Sequence, residues 1–170
     1  MAADIKTKYP STSSASITLT LASLATDSSL LAGRASTAVD NSSNLDLDHI
    51  VSGVIRTGTS PTVGTSIEIW AYGHRSVASG TPTYPDSITG SDANKTMTSS
   101  NVKTAALVLL AVIYVDNTSN RDYDLKHISI ANAFGYMPPY WGLFVVHNTA
   151  AALNATQTAL QYYRQQAQTT

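Results

Sequence analysis

The feature that most constrains the fold is a long apolar run within residues 103–117. It reads KTAALVLLAVIYVDN, and between Ala105 and Val115 the only polar side-chain group is the hydroxyl of Tyr114. The second half is β-branched or aromatic and ends in a turn signal, so the run predicts a strand covered on both faces. It is shorter than the ~20 apolar residues of a membrane-spanning helix. A buried helix is the main alternative, because alanine and leucine in the first half favour helix.

Length and composition indicate one globular domain with a nearly neutral surface. A chain of 170 residues is long enough to bury a real core without covalent cross-links. Only 12% of the residues are charged, and the formal net charge is -1. The chain therefore has neither a basic surface for nucleic acid nor an acidic tail. A surface with so few charges is expected to contact other protein.

Cysteine and the N-terminal residues narrow the function classes. The chain has no cysteine, which excludes disulfides, thiolate zinc sites and cysteine nucleophiles. The first residues, MAADIKTKYPSTSSAS, lack the apolar core of a signal peptide, so an ordinary secretory route is not expected. Neither a membrane nor nucleic acid is an expected partner, and no cofactor is expected.

Shorter alternating segments predict further strands around the apolar run. The clearest is SITLTL, where Ile17, Leu19 and Leu21 alternate with hydroxyl residues. We expect the segments at 45–56 and 66–72 to pair as antiparallel neighbours. The other predicted strands are 28–39, with Gly33 as a bulge or a point of close approach, 122–131, 141–148, and 160–164, the last as a strand or a short helix. About eight strands without a long helix predict an all-β, two-sheet antiparallel sandwich or barrel.

Two polar segments divide the chain. Residues 1–15 lack periodicity and are interpreted as an extended N-terminal arm, which leaves residues 16–170 as a single β-sandwich domain. Residues 73–101 are rich in glycine, proline and small polar side chains, and are predicted to form a long loop. Loops of this length usually carry function or wrap a partner.

The sequence pattern gives each potential catalytic or metal-binding side chain a simpler, structural explanation. The histidines at 49, 74, 127 and 147 lack the short spacing of a metal site. Asp46, Asp48 and Glu68 suggest a glycosidase pair only if the strands bring them together, and outward-facing strand carboxylates explain them more simply. No serine lies in a nucleophile-elbow motif. We therefore predict no catalytic and no metal-binding residues.

Aromatic and arm residues are the better candidates for contacts with a partner. Trp70 and Trp141 are assigned to the core, whereas tyrosines beside prolines can anchor an interface or stack on sugars. His74 and Arg75 lie at a strand-to-loop junction, where they can meet an anion. The predicted partner-binding residues are Ile5, Lys6, Lys8, Tyr9, His74, Arg75, Tyr84, Tyr136 and Tyr140.

Three segments resemble small structural proteins of tailed-bacteriophage virions. They are SITLTLASLATDSSLLAGRASTAVDN, DHIVSGVIRTGTSPTVGTSIEIWAYG and MPPYWGLFVVHNTAAALN, which together cover well over half of the chain. Within that group the chain most resembles the jelly-roll capsid decoration, or cement, proteins in length, β content and terminal arm. No short motif defines that group.

The resemblance implies a non-enzymatic protein on the capsid surface. Its expected partners are the major capsid protein and further copies of itself, as a homodimer or homotrimer, assembled in the bacterial host cytoplasm. The alternative is a carbohydrate-binding or structural module of a phage tail, fibre or baseplate, with Tyr84, Tyr136 and Tyr140 as stacking platforms. An enzyme such as a glycoside hydrolase fragment requires two facing carboxylates in a pocket.

Overall fold

Two antiparallel sheets make up the body of the protein in the computed structural model, which describes residues 5–10, 14–78 and 80–169. The all-β sandwich expected from the sequence is confirmed. The strands are β1 (Ile5–Lys8), β2 (Ser14–Ser16), β3 (Ala32–Ala35), β4 (Val39–Asp40), β5 (Asp48–Arg56), β6 (Ser66–Gly73), β7 (Ser76–Ala78), β8 (Thr81–Thr83), β9 (Ala93–Thr96), β10 (Val108–Tyr114), β11 (Asp122–Ser129), β12 (Tyr140–His147) and β13 (Gln161–Thr169). The helical segments are a 3₁₀ turn (Pro85–Ser87), α1 (Ser100–Ala106) and α2 (Ile130–Phe134).

The strand order sets which strands are central and which are edges. The first sheet runs β1-β13-β5-β11, with β2 also paired to β13. The second runs β10-β6-β12-β3-β9, with β4 paired to β12, while β7 and β8 form a separate hairpin. The central strands β6 and β12 pair over seven residues of each strand, from Trp141 opposite Gly73 to His147 opposite Ile67.

Two apolar clusters cover the two faces of the second sheet. Between the sheets, Ile67 and Ile69 of β6 pack with Leu143 and Val145 of β12, all fully buried. The opposite face carries the second cluster, whose members include Trp70, Tyr72, Phe144, Val146, Met97 and Leu107. Residues 84–107 supply the cover of that face. Because successive side chains of a strand point to opposite faces, β6 and β12 are buried on both.

The apolar run does not have the position predicted for it. Its first part belongs to α1, and its second part, β10, is an edge strand with alternately half-buried and exposed residues. Coverage on both faces is therefore wrong for this run, whereas the structure shows it for β12. The helix begins where the Ser99 hydroxyl accepts a hydrogen bond from the Val102 backbone N–H, a local cap that competes with strand formation.

The SITLTL segment has the predicted alternation without the predicted ladder. Ile17 and Leu21 are buried while Thr18 and Thr20 are exposed, but no strand is assigned over 17–21. Its backbone bonds go to separate places: the Ile17 N–H to the Leu160 carbonyl, and the Thr20 N–H to the Asp92 side chain. Burial alternation alone does not require a pairing partner.

Two other predictions of chain organisation are corrected, and part of the predicted arm is described by the structure. Strands β5 and β6 lie in different sheets, so residues 57–65 cross between sheets instead of forming a hairpin turn. Residues 73–101 contain β7, β8, the 3₁₀ turn, β9 and the start of α1, and the part from residue 84 onward covers the second sheet. Residues 5–8 and 14–16 of the predicted arm pair with β13, while 1–4 and 11–13 lie outside the described residues.

One predicted glycine role is confirmed. A Cβ atom on Gly33 of β3 would lie 2.2 Å from the Val145 carbonyl oxygen of β12. Only glycine allows this close approach of the two backbones.

Candidate interaction surface

One end of the sandwich gathers the residues that the sequence suggested for partner binding, with the exception of Tyr84. Strand β6 ends at Gly73 opposite the start of β12, and β5 begins at Asp48 opposite Gln165 of β13. The Ala131 N–H of α2 donates to Asp48 at 2.8 Å, so α2 lies at the same end. We call this end the Tyr140 pole; it comprises the described residues of 5–9, 41–47, 74–83 (without 79), 130–140 and 165–169.

Tyr140 and His74 form one part of the pole. Their rings meet edge to face with centroids 6.1 Å apart, and the Tyr140 hydroxyl donates to the Ser42 side chain at 3.2 Å. Arg75 is exposed beside them, and its backbone N–H donates to the Thr83 carbonyl of β8. The fold thus brings together the start of β12, the connection after β6 and the loop that contains Ser42.

Two further tyrosines of the predicted set, Tyr136 and Tyr84, differ in their exposure. Tyr136 is 54% exposed and packs edge to face near Phe134. Tyr84 is only 8% exposed, and its ring lies edge to face against Tyr72 with centroids 5.3 Å apart. Burial raises the pKa of Tyr84. Tyr84 is therefore a core residue, and its assignment as a contact residue is wrong.

Strand β1 supplies the remaining predicted contacts. Ile5 lies opposite Thr169 and Lys8 opposite Gln166, and every residue of β1, including Lys6, is exposed. The Tyr9 hydroxyl accepts a hydrogen bond from Gln165 at 2.7 Å. Because β5 pairs with β13 only as far as Gln165, the β1–β13 pair continues past the start of β5 as a two-stranded ribbon.

The loop at 41–47 adds two exposed apolar residues that the sequence analysis missed. Leu45 is 75% and Leu47 52% exposed, whereas Asp46 and Asp48 are 3% and 9% exposed. The expected orientation of these carboxylates, outward from a strand, is thus reversed. The sequence shows that leucine and aspartate alternate in the LDLD segment, but it does not show whether the leucines or the aspartates face the core.

A buried hydrogen-bond network explains the reversal. Asp46 accepts from Gln166 at 2.6 Å and is bonded to His49 Nε2 at 2.9 Å. Trp141 Nε1 donates to His49 Nδ1 at 2.9 Å, so the proton of the neutral imidazole is on Nε2 and points at Asp46. The Asn41 side chain also donates a hydrogen bond to the Asp46 carbonyl and accepts one from the Asp46 backbone N–H. The network anchors the loop to β5, β12 and β13.

The Asp46–His49 pair has a structural role in this geometry. Both ring nitrogens of His49 are hydrogen-bonded, Nε2 to Asp46 and Nδ1 to Trp141, and the His49 side chain is fully buried. Desolvation by burial is the main cause that lowers the pKa of His49, opposed by the bond to Asp46. A base needs a free nitrogen within reach of its substrate, which Trp141 prevents here. The pair fixes the conformation of the loop that presents Leu45 and Leu47.

The other candidate chemical groups are not brought to this network. Glu68 lies on the covered face of the second sheet. Its Oε2 accepts hydrogen bonds from Lys103 Nζ at 2.8 Å and from Trp70 Nε1 at 2.8 Å. His147 is buried, with its ring nitrogens near Thr149 and the Leu24 carbonyl. Asp46 and Glu68 therefore do not form a glycosidase pair. Within the described residues, no three His, Asp or Glu side chains are grouped as a metal site requires.

A shallow groove on the outer side of the first sheet was also missed. Its volume is about 440 Å³, and it holds two rings, His127 and Tyr163, with centroids 5.8 Å apart. The groove is lined by Tyr9, Ile50, His127, Ser129, Tyr163 and Gln165. Only the pairing of β11, β5 and β13 places these residues side by side.

Comparison with known proteins gave no match: no family model fits the chain, and neither a curated protein nor a solved structure is significantly similar to it. Across the described residues, none of the helices has the length and apolar character needed to cross a membrane.

Proposed function

We propose that the protein is a non-enzymatic virion structural protein that decorates and stabilises a phage capsid by binding major capsid protein subunits as an oligomer. The observation that carries this proposal is the Tyr140 pole, where separate segments present exposed apolar side chains on a rigid support. The resemblance of three sequence segments to phage structural proteins supplies the identity of the proposed partner.

Exposed apolar side chains are concentrated at the pole. They include Leu45 at 75%, Ile5 at 76% and Tyr136 at 54% exposure, with Tyr9, Leu47 and Val77 nearby. Grouped apolar exposure of this kind marks protein contacts. The exposed cations Lys6, Lys8 and Arg75 of the same pole favour an acidic area on the partner, because complementary charge guides association and orientation.

The support beneath the pole favours tight binding. His49, Asp46 and Trp141 are almost completely buried and hold the 41–47 loop in one conformation. A preformed contact loop loses less conformational entropy on binding than a mobile one. Binding to the assembled shell more tightly than to dissociated subunits then shifts the equilibrium toward the shell by mass action.

Two measurements test the proposal. Quantitative mass spectrometry of virions from the encoding phage should give a copy number near that of the major capsid protein, or a simple fraction of it. A few copies per particle would contradict a role on the shell. In a co-sedimentation assay with capsids lacking the protein, Leu45→Glu should weaken binding by about tenfold or more, since it places a charge in an apolar contact.

The matched control is Val63→Glu. Val63 is also strongly exposed, at 66%, but it lies in the 57–65 connection at the opposite end of the sandwich. This variant should bind capsids like the unmodified protein. Equal binding by all three proteins would mean that the Tyr140 pole is not the contact surface.

Carbohydrate binding is a second candidate because of the groove beside Tyr163. The Tyr163 and His127 rings with the amide of Gln165 are groups that stack on and hydrogen-bond to sugars. A glycan array probed with the isolated protein should then show binding that Tyr163→Ala abolishes. If no glycan binds, or if Tyr163→Ala binds equally well, the groove is not a sugar site.

A further inference from the structure

Strand β10 is an edge whose outer side offers unpaired backbone groups. In the part of the chain that the structure describes, β10 pairs with β6 alone. An edge strand presents a row of N–H and C=O groups that can pair with another strand. The chemistry of this edge therefore specifies its partner as an extended polypeptide.

The end strands of the two large sheets, β1, β11, β10 and β9, differ in how they are protected. The other three edges carry charges: Lys6 and Lys8 on β1, Lys95 on β9, and Asp122, Asp124 and Lys126 on β11. Charged edge residues oppose pairing with another sheet. In contrast, β10 reads VLLAVIY and has no charged side chain.

The exposed residues of β10 lie on one face. Leu109, Val112 and Tyr114 are 45%, 37% and 72% exposed, and they lie opposite Trp70, Glu68 and Ser66 of β6. Ala111 and Ile113 instead pack toward the core between the sheets. A register shift between Leu109 and Ala111 restores the alternation across the strand. The edge therefore combines unpaired backbone with an apolar row.

We infer that β10 pairs antiparallel with β10 of a second copy, joining the second sheets of two molecules about a two-fold axis. Self-pairing brings no like charges together, because β10 has none. A two-fold contact uses the same surface of both molecules. The uncharged apolar edge of one molecule is therefore complementary to the same edge of another copy. The inference concerns a surface separate from the Tyr140 pole and does not depend on capsid binding.

The bulge limits the register of this pair. Val108 to Leu110 line a groove with residues 127–129 of β11 and 132–133 of α2, which leaves the second half of β10 for pairing. A two-fold axis at Ile113 places Val112 opposite Tyr114 of the second copy, both on the exposed face. An axis between two residues would oppose an exposed side chain to one that faces the core. An axis at Val112 would bring the pair onto the bulge at Leu110, and an axis at Tyr114 would extend it past the end of β10. Cross-strand contacts of apolar residues stabilise such a pair.

Sedimentation equilibrium of the full chain tests the self-association. The unmodified protein should be a dimer, and Val112→Lys should weaken the dimer by about tenfold or more, since the substitution occurs twice in a two-fold interface. The control is Val77→Lys, which changes the same residue type at similar exposure, 44% against 37%, at the Tyr140 pole. Val77→Lys should leave the dimer unchanged.

Disulfide trapping tests the register. The chain has no cysteine, so Val112→Cys/Tyr114→Cys should form covalent dimers on mild oxidation, and the control Val77→Cys should form far fewer. If the protein is still a monomer at a concentration of about 100 μM, which is about 100-fold above a micromolar dissociation constant, the inference is wrong. Dimers that survive Val112→Lys would also overturn it. If Leu45→Glu loses capsid binding but remains a dimer, the result supports capsid binding through the Tyr140 pole and shows that the dimer forms through a different surface.

Discussion

Strands β12 and β10 are both apolar and lie in the same sheet, yet their environments are opposite. Every residue of β12 from Trp141 to His147 is buried, whereas β10 alternates between half-buried and exposed positions. Strand β12 has β6 on one side and β3 and β4 on the other, while β10 has β6 on one side only. Position within the sheet, and not hydrophobicity, separates a core strand from a surface for association.

The largest effect expected from this comparison is on stability. Phe144→Ala in β12 removes a fully buried ring and should lower the free energy of unfolding by about 3–5 kcal/mol through lost burial and a cavity. Val112→Ala in β10 should change it by no more than about 0.5 kcal/mol, as for surface positions. Urea denaturation at low protein concentration measures both. Equal losses would mean that β10 is as buried as β12.

A second effect concerns the helix that replaces the first half of the apolar run. Lys103 of α1 is buried, pairs with Glu68 at 2.8 Å, donates to the Leu30 carbonyl at 2.7 Å and lies 4.9 Å from the centre of the Trp70 ring. Lys103→Ala leaves Glu68 without its cation and should cost about 3 kcal/mol.

The control for Lys103 is Lys126→Ala, because Lys126 is exposed on β11 and its removal should be close to neutral. Combining Lys103→Met with Glu68→Leu should recover much of the loss, since no charge is then left buried. If Lys103→Ala destabilises no more than Lys126→Ala, this ion pair does not fix α1 against β6.

The smallest expected effect is the pH dependence of stability. Burial is the main cause that lowers the pKa of both His147 and His49 from the ordinary 6.5. Below that value the unfolded chain binds protons that the folded chain does not, so stability should fall as the pH decreases through and below 6.5. Strand β10 has no histidine and should contribute nothing to this decrease.

Urea denaturation at about pH 7.5 and about pH 5.5 measures that decrease, a range in which histidines titrate. His147→Gln should show a smaller decrease than the unmodified protein. A stability that is constant or rises on acidification would contradict the assignment of the buried histidines as neutral.

Part of the candidate surface could be predicted from residue type and local context. Exposed positions beside turns and in the first residues, such as Lys6, Arg75 and Tyr136, were selected because charged and aromatic residues near loops often face a partner. Leu45 and Leu47 were missed because leucine in an alternating segment normally marks the buried face. Their exposure depends on Asp46 reaching His49 and Gln166, contacts made across three strands.

The sequence by itself determined the all-β class, the alternating burial of 17–21, the close approach at Gly33 and the strand at 140–147, because these depend on local periodicity and residue size. Only the tertiary structure decided that β12 is central and β10 an edge, that Asp46 is buried, and that residues from five segments meet at one pole. A strand's burial is set by its neighbours across the sheet, and those neighbours are distant in sequence.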